Sequence, residues 1–201
     1  MFGKTAYYAA MAEEAAKQVT GSKERWTSFL TTSARLYKYP YNEQLMIHAQ
    51  RPDATACAEY DLWNDKMHRY IKRGSKGIAL IDNDGDRPRI RYVFDVSDTG
   101  TRRNSRPVQL WKMEDDYRQP VQDALAKAYG ISAEHGLETQ IDEVAKVLAT
   151  EYWNEHGKQF LDIIDDSYLE SYDKFNIEVA FRNAMSVSTA YALYTRCVDN
   201  P

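Results

Sequence analysis

From Trp26 to Thr55 the chain reads WTSFLTTSARLYKYPYNEQLMIHAQRPDAT, from Asp61 to Ile81 DLWNDKMHRYIKRGSKGIALI, and from Arg91 to Asp95 RYVFD. Trp26, Phe29, Leu30, Ser33, Leu36 and Tyr37 recur at helical spacing and form an apolar stripe. Ser22 is placed to cap that helix, and Pro40, which lacks an N–H and restricts Tyr39, to stop it. Asn42 is placed to cap a third short helix through Leu45, Met46 and Ala49, ending before Pro52. A fourth short helix carries Tyr60, Leu62 and Trp63. The period then changes: Tyr70-Ile71-Lys72, the turn Gly74-Ser75-Lys76-Gly77, and Ile78 to Ile81 read as strand, turn, strand.

Outward from this stretch, the alanine-rich run Lys4 to Val19, followed by Gly21, predicts a first helix. Asn83-Asp84-Gly85-Asp86 is a second turn, and Ile90, Tyr92, Phe94 and Val96 alternate with Arg91, Val93, Asp95 and Ser97, predicting a strand with one apolar face. Asp98 to Pro107 reads as a mobile loop, after which Val108 to Trp111 either adds a short strand or docks on the sheet. The remainder predicts helices: Asp115 or Asp116 to Tyr129, closed by Gly130; Glu138 to His156, closed by Gly157; Gln159 to Tyr172; and Phe175 to Arg196. The expected fold class is α+β, several helices packed around a small antiparallel sheet and followed by a helical C-terminal region. The expected division is a basic domain over residues 1–112 and an acidic helical region over residues 113–201, packed on the first or leading into further domains.

Charge supports that division. The formal net charge is −4. Residues 1–112 hold 19 Lys+Arg against 13 Asp+Glu, a balance of +6, and residues 113–201 hold 7 against 17, a balance of −10. Such asymmetry points to nucleic-acid binding by the basic half, and equally suits an ordinary domain beside a solvated acidic helical tail. No apolar run is long enough to cross a bilayer and no secretory h-region opens the chain. Cys57 and Cys197 lie far apart outside any CxxC spacing, which argues against a disulfide framework or zinc site and for a reducing cytoplasm. Fifteen tyrosines and four tryptophans suit stacking surfaces and a core alike.

Several separate blocks, in order, resemble the N-terminal domain of ArdC-type antirestriction proteins: Trp26-x-x-Phe29-Leu30; Tyr39-Pro40-Tyr41-Asn42 with Leu45; Gln50-x-Pro52-x-Ala54-Thr55; Trp63; Lys72-x-Gly74-x-Lys76-Gly77-Ile78; and Val93-Phe94-Asp95-Val96. The resemblance covers roughly residues 20–100. It implies single-stranded DNA binding in a protein of plasmids and conjugative elements that shields incoming DNA. Family members often carry a zincin-like peptidase domain, and this chain departs from that form because it contains no HExxH. The ending at Pro201 suggests a fragment of a longer protein.

Lys66, Arg69, Lys72, Arg73 and Lys76 crowd the expected turn, with His68 and Tyr70 among them, where glycines permit close approach of a phosphate backbone. A solvated β-turn accounts for the same residues. At the corner Arg35 to Asn42, rings lie beside cations and could stack unpaired bases. Tyr37, on the stripe, is expected to pack instead, and Tyr39 and Tyr41 suit either role. Trp26, Phe29, Leu30, Leu36, Leu45 and Met46 are core by spacing, and Trp63 is expected to anchor the fold. Arg51 suits a helix end or a phosphate. His48, His68, His135 and His156 lack metal-ligand spacing, and the carboxylates Asp162, Asp165, Asp166 and Glu170 receive no catalytic role.

The first reading is therefore a non-catalytic module for single-stranded DNA, its cationic groove and stacking surface formed by Arg35, Lys38, Tyr39, Tyr41, Arg69, Lys72, Arg73 and Lys76, with Arg102, Arg103 and Arg106 as accessories. No cofactor or metal is called for, and no membrane. The alternatives are a protein-interaction or DNA-mimic module acting through the acidic helices, and an accessory domain of a larger enzyme.

Overall fold

The computed structural model describes residues 3–82, 87–165 and 167–198, which divide into the units Met1–Trp111 and Lys112–Pro201. The expected turn Asn83–Asp86, Asp166 and the ending at Pro201 lie outside the described residues. The fold is α+β.

In the first unit the helices are α1 (Lys4–Val19), α2 (Lys23–Arg35) and α3 (Tyr41–Gln50). Ser22 caps α2, its Oγ accepting the Arg25 N–H at 3.3 Å. The helix ends at Arg35, well before Pro40. Residues beyond Leu36 therefore leave the helical period, and Tyr37, expected to pack, is 54% exposed. Pro40, not Asn42, is the N-cap of α3, and its carbonyl accepts the Glu43 and Gln44 N–H groups at 3.0 Å. Asn42 falls inside the first turn. Phe29, Leu45, Ala15 and Val19 join α1, α2 and α3, with Trp26 half-buried against them.

Strands β1 (Cys57–Glu59), β3 (Ile78–Asp82) and β4 (Arg89–Asp95) form an antiparallel sheet in the order β1-β4-β3, and β2 (Arg69–Ile71) pairs with β5 (Thr99–Thr101) in a separate ribbon. The expected strand, turn and strand over residues 70–81 are present, but the two strands belong to different sheets and do not pair with each other. Between them the Lys72 N–H donates to the Asp98 carbonyl at 2.8 Å, which holds the turn against a 3-10 turn, Val96–Asp98. The reading of residues 98–107 as a mobile loop is corrected too: Thr99–Thr101 is strand, the Ser105 hydroxyl donates to the His68 carbonyl at 2.6 Å, and the Arg106 N–H donates to the Met67 carbonyl at 2.9 Å. Residues 108–111 form no strand.

The register of β4 also departs from expectation. Its buried side chains are Val93 and Asp95, with Ile90, Arg91 and Phe94 half-buried and Tyr92 exposed. The register sets Val93 opposite Ile78 and Arg91 opposite Leu80, so these share the face packed with Leu36, Met46, Ile47 and Ala54. The inward charges are satisfied there. Arg91 donates to Glu43 at 2.5 Å and to Glu59 at 2.9 Å. Asp95 is 2% exposed and accepts from the Thr55 N–H (2.7 Å), the Ala56 N–H (2.9 Å), the Ser97 N–H (2.9 Å) and the Ser97 hydroxyl (2.7 Å). The free edge of β3 is covered by a side chain: the Gln50 amide donates to the Ala79 carbonyl at 2.8 Å and accepts the Ala79 N–H at 2.9 Å, acting as a short surrogate strand. Residues 60 and 61 are helical and run into a π-helical turn, Leu62–Lys66, that buries Trp63, whose Nε1–H donates to the Phe94 carbonyl at 2.8 Å.

The second unit contains α4 (Asp115–Tyr129), α5 (Gly136–Ile164) and α6 (Lys174–Cys197). Gly130 closes α4 at φ +70°, the left-handed conformation favoured by glycine. Gly157 does not end a helix as expected. It lies inside α5, where a Cβ would come within 2.8 Å of the Trp153 indole, so the missing side chain makes room for the ring one turn earlier. The helix expected over residues 159–172 is consequently the last part of α5 followed by turns, and Ile163 and Tyr168 are exposed. Asp173 caps α6 through the Phe175 N–H at 2.9 Å.

Burial alone would raise the Asp95 pKa, yet the hydrogen bonds from Ser97, Ala56 and Thr55 outweigh it and hold the carboxyl below the usual range. A depressed folded pKa gives stability that is full above the unfolded value, about 3.9, and is lost as pH falls through the folded value. Asp95→Asn removes that acid dependence and sets an NH2 against one pair of donors. It should cost about 2–4 kcal/mol, read as lost amide-exchange protection across β1 and β4; full protection in the variant would refute this role for Asp95.

Candidate nucleic-acid interface

Three-residue strands are too short to stand alone, and β2 and β5 are held in place from outside. Arg51 at the end of α3 donates to the Asp98 carboxylate at 2.5 Å and to the Ser97 hydroxyl at 2.8 Å, and the Asp98 hydrogen bond raises its pKa further. The Asp98 carbonyl in turn receives the Lys72 N–H. Arg51 is therefore a structural clamp. The ribbon pairs Arg69 with Thr101, Tyr70 with Gly100 and Ile71 with Thr99.

Opposite Gly100, the Tyr70 ring crosses the partner strand, where an added Cβ would lie 2.3 Å from Tyr70 Cζ. The ring remains 43% exposed. The Arg102 guanidinium lies 5.8 Å from its centroid, within cation–π range. Arg102 is itself held by Asn64, whose Oδ1 accepts from Nη1 and Nη2 at 3.1 Å each. Lys66, Lys72, Arg73, Lys76, Arg103 and Arg106 are exposed in the segments that flank β2 and β5. Of these, Lys66, Arg73, Lys76 and Arg103 make no ion pair with a described residue. Lys72 rests its ammonium on the Ser97 carbonyl at 2.9 Å. Arg69 differs: it is half-buried, and its Nε–H donates to the Thr99 hydroxyl at 2.7 Å. Gly74 reaches φ +89° in the turn, a conformation that a side chain would strain.

The corner residues fare unequally. Arg35 donates to the Pro52 carbonyl at 2.7 Å. The Tyr39 hydroxyl donates to the Cys57 carbonyl at 2.6 Å, and burial pushes its phenol pKa up. Both have internal partners. Lys38 is exposed with its ammonium 5.8 Å from the Tyr37 centroid. Tyr41 is 51% exposed and meets Phe29 edge-on, at 5.7 Å between centroids. The corner's contacts run to Pro52 and Cys57, those of the ribbon to Ser97, Asp98 and Asn64. Sequence reasoning placed Arg102 and Arg103 only as accessories and left Tyr70 out of the site. The β-branched pair flanking Gly100 in Thr99-Gly100-Thr101 was the one local sign of a strand there.

Among the described residues no group of three or more His, Cys, Asp and Glu side chains could hold a metal ion, and no helix is long and apolar enough to cross a membrane. Burial raises the Cys57 thiol to about 12, leaving it protonated and unreactive.

His48 Nδ1 lies 2.8 Å from the Thr32 hydroxyl, which also reaches the Pro52 carbonyl at 2.9 Å. Burial first, and the Arg35 charge second, lower the His48 pKa. The unfolded chain then takes up the proton before the folded one, so stability is full above about pH 6.5 and falls below it until the folded pKa is passed. Melting of the wild type minus that of His48→Gln should show this loss as pH falls below about 6.5; a flat difference would contradict it.

No protein-family model, curated protein or solved structure matches this chain.

Proposed function

We propose that the chain is a single-stranded DNA-binding module of the ArdC antirestriction type, non-catalytic and cytoplasmic, from a plasmid or conjugative element. The observation that carries this reading is the Tyr70 ring, half-open to solvent on a ribbon whose flanking turns carry exposed lysines and arginines. Unpaired bases offer a π-face to such a ring, and lysines and arginines around it follow the phosphates. Lys66, Lys72, Arg73, Lys76, Arg102 and Arg103 supply that charge, Arg106 borders it, and Lys38 and Tyr41 offer a second, smaller contact. Arg35, Tyr39 and Arg69 support the scaffold. A duplex buries its base faces, so the ring gives the surface its preference for single strands. The ordered blocks from Trp26 to Val96 add the family resemblance as independent support.

Fluorescence anisotropy of labelled single-stranded and duplex DNA over a salt series tests the reading. Single strands should bind more tightly, with log K falling by about 0.7 per phosphate contacted for each tenfold rise in salt. Tyr70→Ala should weaken binding by about 1–3 kcal/mol, or roughly 5- to 150-fold, while Lys72→Ala with Arg73→Ala should flatten the salt slope. Gly100→Ala should act like Tyr70→Ala, because an added Cβ would displace the ring from its seat on the partner strand. No binding to either DNA at low salt would overturn the proposal.

A further inference from the structure

On α5, Tyr152, His156, Gln159 and Ile163 follow one another at steps of four, three and four residues, the spacing of a helix-packing seam. Much of this seam faces water: Ile163 is 76% and Tyr152 46% exposed. The four residues line a groove of ≈ 120 Å³ with Phe160 and Phe181. The groove is preformed by ring packing. Phe160 and Phe181 lie 4.6 Å apart, Trp153 and Phe181 5.3 Å, and Tyr152 stacks on Phe181 at 6.1 Å. A water-exposed isoleucine beside a preorganised aromatic cluster is surface that burial would stabilise by about 25 cal/mol per Å².

Charge selects the occupant. One residue before Tyr152, His156 and Ile163 stand Glu151, Glu155 and Asp162, all exposed, with Lys158 the one cation at the equivalent positions. Arg182 of α6 is taken up by Glu178 at 3.0 Å and the Thr150 hydroxyl at 2.7 Å. The groove therefore runs beside a carboxylate rail, in a half of the chain whose balance is −10. A second copy would bring the same negative balance against it, and like charge opposes that association. Nucleic acid is disfavoured for the same reason.

We propose that this seam is the docking site for a basic amphipathic helix of a partner protein, its apolar stripe filling the groove and its lysines or arginines facing Glu151, Glu155 and Asp162. This helix-in-groove mode takes orientation from the apolar anchors and encounter rate from the charges. It does not depend on the DNA-binding ribbon.

The test uses the whole chain and a labelled helical peptide of roughly three heptads, with leucines at the seam positions and lysines elsewhere, beside a second peptide with glutamate for each lysine. Anisotropy should show saturable binding of the lysine peptide only, weakening with salt. Ile163→Glu should weaken it about tenfold or more with unchanged melting, because Ile163 is a surface residue. Glu155→Lys with Asp162→Lys should lower affinity and flatten its salt dependence while leaving the groove intact. Equal binding of the glutamate peptide, or undiminished binding by Ile163→Glu, would overturn the proposal. So would a dimer in sedimentation that Ile163→Glu dissolves, since the occupant would then be a second copy.

Discussion

The first unit hangs on the buried Asp95 carboxylate. Taking a carboxylate out of water costs several kcal/mol, and here four donors from Thr55, Ala56 and Ser97 offset that cost. Two of the donors are backbone N–H groups leading into β1, so the charge fixes where that strand begins beside β4. The other two belong to Ser97 and turn the chain into Val96–Asp98 as soon as β4 ends. That turn delivers Asp98 to Arg51 on one side and its carbonyl to Lys72 on the other. One carboxylate thus connects the sheet, the end of α3 and the entry to the ribbon.

Such a chain of contacts explains why the order of elements was legible in the sequence while their pairing was not. The span of α1, the Ser22 cap and the Gly130 closure depend on neighbours within a turn, and these stand where the residues predict. Pairing of β2 with β5 depends on Asp98, which the sequence offers only as one more polar residue in a loop. The face of β4 was misjudged for a related reason. Alternation identifies two faces, but the one turned inward carries Arg91 and Asp95, whose charges are tolerable only because Glu43, Glu59 and the β1 backbone meet them. Gly157 misled differently: glycine inside a helical pattern ordinarily signals an end, and the bulk it accommodates belongs to Trp153, one turn earlier on the same helix.

The candidate site shows the same division between type and role. Cations and rings could be counted from the sequence, and the exposed ones lie where phosphates and bases could reach them. Which of them were already committed could not be read, because the partners of Arg35 and Tyr39 are the backbone carbonyls of Pro52 and Cys57, atoms that every residue possesses. Tyr70 went unselected because its ring is defined by what Gly100 lacks.

The two proposed surfaces, the ribbon and the α5 seam, would meet opposite physical demands. A phosphate backbone is tracked best by cations that remain solvated and mobile until the strand arrives, so the lysines and Arg103 need few internal partners, whereas a stacking ring must be held still to spare the entropy of ordering it. The structure separates those demands by side chain: Tyr70 is braced by Gly100 and Arg102, and Lys66, Arg73 and Lys76 are left to water. On α5 the braced part is the groove itself, floored by Phe160 and Phe181, and the charges beside it are fixed on a helix and of the other sign. The ribbon proposed for an irregular polyanion and the seam proposed for a regular cationic helix thus divide the +6 and −10 halves of the chain between them. The net charge of −4 conceals both.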